Sequence, residues 1–246
     1  MKRVKLEIAY DGTNYCGWQT QPNGITIEEI LNQKLSDLLE EPILVIGASR
    51  TDSGVHALAN VAVFDTETKI PGEKISFALN QRLPKDITIQ SSCEVPLEFH
   101  PRYCNSIKTY EYQILNRTFD MPVLRLYTHF VYMPLNVEAM KEAAEYIVGE
   151  HDFVSFCSNK SQVKDTVRTV YSLDIKKEND IISLRIRGNG FLYNMVRIIV
   201  GTLIKVGLGV YPASYVKEMI EAKDRMKAGP TAPAKGLTLV GIEYAD

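Results

Sequence analysis

Ile43-Leu44-Val45-Ile46-Gly47-Ala48-Ser49-Arg50-Thr51-Asp52-Ser53-Gly54-Val55-His56-Ala57, followed by Asn60-Val61-Ala62-Val63-Phe64-Asp65, places two apolar, β-branched runs on either side of a polar loop. The runs predict strands over 43–46 and 60–65. Upstream, Val4, Leu6 and Ile8 alternate with polar residues as in a half-buried strand, and Tyr10-Asp11-Gly12-Thr13 predicts a turn. Thr26 with Glu29 then forms a capping-box pattern for a helix burying Ile27, Ile30, Leu31, Leu35 and Leu38. Downstream, 73–83 reads as a second helix and 86–94 as a strand. The order is β-α-β-β-α-β, the ferredoxin-like pattern.

Past a linker near Val95-Pro96, the second half offers strands over 106–115, 167–176 and 181–187. Helices are predicted over 136–148, 191–206 and 214–222, and a last strand over 237–244. The runs 167–176 and 181–187 are separated only by Lys177-Glu178-Asn179-Asp180, which favours antiparallel pairing. The expected fold is therefore α+β with a mainly antiparallel sheet, in two halves, 1–96 and 97–246. Ala228-Gly229-Pro230-Thr231-Ala232-Pro233 is the strong loop signal near the C-terminus.

Within the opening stretch, Asp52 is a carboxylate on a loop between two strands, with Gly47 and Gly54 offering backbone freedom on either side. Composition alone favours an ordinary hydrogen-bonded turn here.

The chain has 246 residues, 45% hydrophobic and 24% charged, enough to bury a full core. The start, Met1-Lys2-Arg3-Val4-Lys5-Leu6-Glu7, is basic without a following apolar segment, and no run approaches the ~18 apolar residues of a membrane span. A cytoplasmic protein is expected. Cys16, Cys93, Cys104 and Cys157 are scattered, and His56, His100, His129 and His151 are isolated, so neither a disulfide framework nor a metal site is expected.

A net charge of −2 does not mark a nucleic-acid binder, but the charge is segregated. Residues 26–41 carry Glu28, Glu29, Asp37, Glu40 and Glu41 against Lys34, whereas 183–205 carry Arg185, Arg187, Arg197 and Lys205 with no acid. In Phe99-His100-Pro101-Arg102-Tyr103-Cys104-Asn105-Ser106-Ile107-Lys108-Thr109-Tyr110, cations alternate with aromatics, a composition suited to phosphate contact and base stacking. Solvated strand-edge charges would give the same pattern.

As a block, residues 47–57 resemble the signature loop of the tRNA pseudouridine synthase A family, Gly-Arg-Thr-Asp-Ala-Gly-Val-His, from which Ser49 and Ser53 depart. Tyr10-Asp11-Gly12-Thr13, Tyr15 and Gly17-Trp18-Gln19 resemble its first loop. Phe99-His100-Pro101-Arg102-Tyr103 resembles its Phe-His-Ala-Arg-Phe segment, with Pro101 and Tyr103 as departures. Lys108-Thr109-Tyr110-Glu111-Tyr112, Asn194-Met195-Val196-Arg197-Ile198-Ile199-Val200-Gly201 and Gly236-Leu237-Thr238-Leu239 resemble its tyrosine strand, arginine helix and closing strand. Several short motifs in one order and spacing carry far more weight than any one of them.

The resemblance implies two ferredoxin-like domains with joined sheets and a cleft between them, a homodimer, and no cofactor or metal. It implies isomerisation of uridines 38 to 40 of the tRNA anticodon stem-loop to pseudouridine. Asp52 would be the catalytic group, adding to the uracil, attacking C1′ or abstracting a proton beside it, and the sequence leaves these three open. Tyr110 would pack on the flipped base or act as the base at C5, packing ranking first because a phenol pKa of about 10 is poorly matched to neutral pH. Arg197, the single charge in an apolar helical turn, would keep Asp52 ionised, and a buried guanidinium needs a partner. Arg50 would fill the space left by the extruded base. Phe99, His100, Arg102, Tyr103, Lys160 and Lys164 are expected RNA contacts, and Arg102, Lys160, Lys164 and Arg168 are candidates for phosphate, with solvated loop charges the alternative reading. Two other readings stay open: an inactive RNA-binding module on the same fold, and a carboxylate hydrolase, which lacks the second acid or metal cluster that such enzymes use.

Overall fold

Alternation in the first strand organises the N-terminal sheet: Val4, Leu6, Ile8 and Tyr10 point to one face and are buried, the residues between them half-buried. The computed structural model describes residues 1–158 and 165–244. Among these the strands are β1 (Lys2–Tyr10), β2 (Ile46–Gly47), β3 (His56–Thr66), β4 (Ile87–Val95), β5 (Ser106–Asn116), β6 (His129–Val131), β7 (Gly149–Asp152), β8 (Val167–Glu178), β9 (Ile181–Gly188) and β10 (Leu237–Tyr244). The helices are α1 (Ile27–Leu39), α2 (Gly72–Asn80), α3 (Val137–Glu145), α4 (Met195–Gly207) and α5 (Tyr215–Ala222). The mixed α+β class and the mainly antiparallel pairing agree with the sequence reading.

The chain divides into two compact units: residues 1–105 with β10 from Thr238, and residues 106–237. The sequence reading placed a boundary near residue 96. Residues 97–105 instead pack with the first unit. Arg3 donates to the Phe99 carbonyl, Tyr244 Oη donates to the Pro101 carbonyl, and Arg102 donates to the Gly47 carbonyl.

In the first unit β1 lies antiparallel between β3 and β4, with Val4 opposite Phe64 on one side and Glu94 on the other. The far edge of β3 is shared. β2 pairs with its second half, Ile46 opposite Val63, and β10 runs parallel to its first residues, Thr238 opposite His56. The order β4-β1-β3-β2 is that of a ferredoxin-like sheet, with the elements in the order predicted. Thr26 caps α1 as its pattern predicts, its hydroxyl accepting from the Glu29 amide, and Ile27, Leu31 and Leu35 form the fully buried stripe.

One predicted strand is mostly absent: of 43–46, only Ile46 enters a ladder. The reason lies in α1. Asn32 Oδ1 accepts from the Val45 amide at 2.8 Å and Ser36 Oγ from the Ile43 amide at 2.9 Å, so this backbone is satisfied by helix side chains rather than a neighbouring strand. β3, conversely, begins at His56, four residues earlier than predicted.

In the second unit β5, β9, β8 and β7 pair antiparallel in that order, and β6 adds in parallel to the end of β5. The β8–β9 hairpin turns on Asn179-Asp180, with Asn179 in the left-handed region at φ 53°. β6 and β7, of three and four residues, are too short to show a periodicity and were not predicted. α4 starts at Met195 rather than near 191, because Asn194 at φ 62° breaks the helical path. It is apolar nearly all round and buried from Met195 to Gly207 except at Arg197 and Lys205. Among the described residues no helix is long and apolar enough to cross a membrane.

Replacing Asn32 by Ala would orphan the Val45 amide. We expect Asn32→Ala to lower unfolding free energy by about 1–3 kcal/mol, measured by urea denaturation. An unchanged midpoint would mean that water replaces the bond.

Candidate active site

Asp52 is half-buried on the loop joining β2 to β3, and the residues around it are held from several sides. The amide of Trp18 donates to the Thr51 carbonyl at 3.0 Å, and the Val55 amide closes a turn on the Asp52 carbonyl at 3.1 Å. Both the Gly54 amide and the Ser53 hydroxyl donate to the Tyr15 carbonyl. The first loop, residues 11–20, thus braces the second. It is itself tied down: Tyr15 Oη donates to Asp86 at 2.6 Å, and burial followed by that carboxylate pushes the phenol's pKa up. The Gly12 amide donates to His56 Nδ1 at 3.0 Å, with Asp11 Oδ1 3.1 Å from the same nitrogen.

Beneath the loop runs a buried polar chain. Asn60 of β3, wholly buried, donates through Nδ2 to the Ser49 carbonyl at 3.1 Å and to Tyr10 Oη at 3.2 Å, while its Oδ1 accepts from the Val61 amide. Tyr10 Oη in turn lies 2.8 Å from Thr51 Oγ1. The sequence reading missed Asn60 and the hydroxyl of Tyr10. The signal was present: an Asn opening the apolar run 60–64 must find partners when buried.

The two glycines flanking Asp52 do different work. Gly54 takes the left-handed conformation at φ 76°, which needs the freedom expected of it. Gly47 is not in that region. It makes room, since a Cβ there would lie 2.4 Å from the Trp18 indole. Of the two departures, Ser49 is buried with no partner for its hydroxyl among the described residues, and Ser53 gains the bond to Tyr15.

Arg50 and Arg102 belong to the same unit. Arg50 is exposed and makes no hydrogen bond or ion pair among the described residues. Arg102 Nε and Nη2 both donate to the Gly47 carbonyl, at 3.2 and 2.8 Å. Burial, then the positive charge of Arg50, lowers the Arg102 pKa from its usual value, and Tyr103 and Glu28 oppose this. Next to it the His100 and Tyr103 rings stack at 4.1 Å and 22°, with Tyr103 80% exposed. Phe99 is engaged otherwise, its ring set edge-on to Tyr244 of β10 at 5.1 Å.

Tyr110 and Arg197 lie in the second unit. Tyr110, on β5, is 8% exposed and meets Phe191 edge-to-face at 5.4 Å. Arg197, half-buried in the first turn of α4, donates through Nε to the Ala232 carbonyl at 2.8 Å and through Nη1 to Asn194 Oδ1 at 2.9 Å. The Ala232 amide returns a bond to the Arg197 carbonyl, so the loop 228–233 and the arginine fix each other. Tyr112 supports the same loop. Its hydroxyl donates to the Pro233 carbonyl, and burial raises its pKa against the pull of Arg197. A separate cavity of about 270 Å³ in this unit, between residues 129–132, the C-terminal half of α4 and residues 230–233, contains none of the expected site residues. Lys160 and Lys164 lie outside the described residues. Arg168, on β8, donates to the Asp165 and Val167 carbonyls.

The loop 228–233 approaches α4 at Gly201, where a Cβ would stand 1.8 Å from the Pro230 carbonyl oxygen. Gly201→Ala must therefore displace the loop that holds Arg197. We expect it to destabilise by about 1–3 kcal/mol, as overpacking does, whereas Gly241→Ala, with nothing within 4 Å, is the matched control. Equal melting temperatures for the two variants would contradict this.

A family model described as tRNA pseudouridine synthase matches residues 7–104 and 143–245. The chain is 50% identical over 244 residues to tRNA pseudouridine synthase A of Thermoanaerobacter sp. (strain X514), covering 99% of this chain and 100% of that protein. It is also 50% identical over 245 residues to the protein of the same name from Ruminiclostridium cellulolyticum, with the same shares covered. With tRNA pseudouridine synthase A 2 of Clostridium perfringens it shares 47% over 244 residues, again 99% and 100%. Matches of this extent, on a chain whose signature loop is pinned around a half-buried aspartate, place it in the tRNA pseudouridine synthase A family.

Proposed function

We propose that this protein converts uridines 38 to 40 of the tRNA anticodon stem-loop to pseudouridine, with Asp52 as the catalytic carboxylate, acting as a cytoplasmic homodimer. The observation that carries the reading is the loop itself: Asp52 stands half-buried while the backbone on both sides of it is bonded in place. Such an arrangement holds a reacting group in one orientation, which is where much of an enzyme's rate comes from.

In the reaction the N1–C1′ bond of uridine breaks, the uracil turns, and a C5–C1′ bond forms. The C5 proton is lost and N1 takes one up, so atoms and charge balance. Asp52 acts as nucleophile or base in this sequence. Tyr110 supplies a ring to pack on the base, and Arg197, already oriented by Ala232 and Asn194, supplies a cation for substrate binding. Arg50 and Arg102, two cations in one unit with no ion pair to either among the described residues, suit an RNA phosphate, and the exposed Tyr103 stacked on His100 suits a base.

The direct test is incubation with unmodified tRNA carrying uridines in the anticodon arm, followed by mapping of pseudouridine by a modification-specific reverse-transcription stop. Signal at 38 to 40 from the wild type is expected. Tight binding without signal would favour an inactive RNA-binding module. Asp52→Asn should bind tRNA near normally yet turn over at least about a thousandfold more slowly, roughly 4 kcal/mol of barrier, and a wild-type rate would remove Asp52 from the mechanism.

Arg50→Ala should weaken tRNA binding and reduce the magnitude of the log-salt slope by up to about one. A slope identical to wild type in a salt titration would mean that Arg50 never meets a phosphate.

A further inference from the structure

From the buried chain under the loop we infer that Tyr10 and Asn60 are positioning residues for Asp52, acting through the hydroxyl of Thr51. This rests on the reading of Asp52 as the catalytic carboxylate. The direction of the bonds is fixed at Asn60. Asn60 Oδ1 is occupied by the Val61 amide, and both Nδ2 contacts are to oxygens, the Ser49 carbonyl and Tyr10 Oη. Tyr10 Oη accepts from Asn60 and lies 2.8 Å from Thr51 Oγ1, a hydrogen bond in which either hydroxyl can be the donor.

Every member is nine-tenths or more buried: Asn60 at 0% exposure, Tyr10 at 4%, Ser49 at 4% and Thr51 at 7%. A buried donor cannot turn to water, so each bond is costly to leave unmade. The chain therefore grips the backbone at Ser49 and the side chain at Thr51. Asp52 follows directly. With its carbonyl held by the Trp18 amide and its hydroxyl by Tyr10, Thr51 is fixed at two points, and its orientation sets the direction in which the next side chain leaves the backbone. The Tyr10 ring is itself packed, tilted 41° to Trp18 at 6.1 Å, so loss of the hydroxyl alone leaves the aromatic packing in place.

The test measures single-turnover rates at saturating enzyme, with tRNA dissociation constants alongside, for Tyr10→Phe, Thr51→Val, Thr51→Ser and the Tyr10→Phe/Thr51→Val double variant. Tyr10→Phe and Thr51→Val should each slow the chemical step about ten- to a hundredfold, the cost of a misplaced reacting group, with tRNA affinity within about threefold. Thr51→Ser keeps the hydroxyl and should recover most of the rate. The double variant should be no slower than the worse single one, because both remove the same bond.

Rates for Tyr10→Phe and Thr51→Val within about threefold of wild type, a multiplicative double variant, or a loss confined to affinity would each overturn the inference. Asp52→Asn is measured in parallel. If it turns over normally, the assignment of Asp52 itself has failed; if it is inactive while Tyr10→Phe is unaffected, only the positioning role has failed.

Discussion

Between Gly47 and His56 the chain leaves the ladder on β3, and its polar groups must then be matched by something other than a neighbouring strand. Unpaired backbone in a protein interior is expensive, and a loop left to water would be mobile. The first unit meets the requirement with side chains and a second loop. Asn60 takes the Ser49 carbonyl, Arg102 the Gly47 carbonyl and the Trp18 amide the Thr51 carbonyl. The remaining features of this unit follow from that constraint. The first loop must pass close enough for Trp18 and Tyr15 to reach, Gly47 must lack a side chain to admit the indole, and residues 97–105 must fold back so that Arg102 can donate.

The second unit solves a different problem, a cation within an apolar helix. α4 is buried on almost every side, and Arg197 lies in its first turn among Met195, Val196, Ile198 and Ile199. Its guanidinium is desolvated in part and needs oxygen acceptors. The loop 228–233 supplies one through Ala232, and Asn194, whose left-handed backbone sets the start of the helix, supplies another. The loop in turn is held by Thr202 Oγ1 accepting from the Gly229 amide and by Arg225 donating to the Ala228 and Gly229 carbonyls. Arg197 is thus held in one orientation by acceptors of its own unit.

What was legible in the sequence was whatever local pattern controls. The alternation of β1, the Thr26 cap and the β8–β9 hairpin depend on residues close in the chain, and each was read correctly; in α1, Ile27, Leu31 and Leu35 are buried as expected, whereas Ile30 and Leu38 are only half-buried. The strand expected over 43–46 shows the limit. Its composition suits a strand, yet Asn32 and Ser36, 13 and 7 residues before the amides they take, capture its backbone, and that competition is tertiary. The same holds at the site. Asp52, Arg50 and Arg102 were picked out by motif, whereas Asn60 and the Tyr10 hydroxyl matter only because two strands and a loop converge on them. The unit boundary was misjudged for the same reason: the bonds that tie 97–105 back to the first unit span 55 to 143 residues of sequence.

Charge distribution bears on how a protein of net charge −2 can serve as an RNA-modifying enzyme. Non-specific affinity for RNA grows with the number of cations presented, so an acidic balance keeps that background low. Specific contact then falls to cations placed where the substrate must sit. Under the proposed function Arg102 is one such cation: burial first, and then the like charge of Arg50, lowers its pKa, with smaller opposing effects from Tyr103 and Glu28. The protein itself opposes this repulsion only in part, through Tyr103 and Glu28. A phosphate between the two guanidiniums would remove it, and the repulsion relieved would add to the affinity at that point alone. Under the proposed function, a slightly negative net charge and the two arginines of the Asp52 unit therefore act together, the first limiting binding elsewhere and the second concentrating it at the site of reaction.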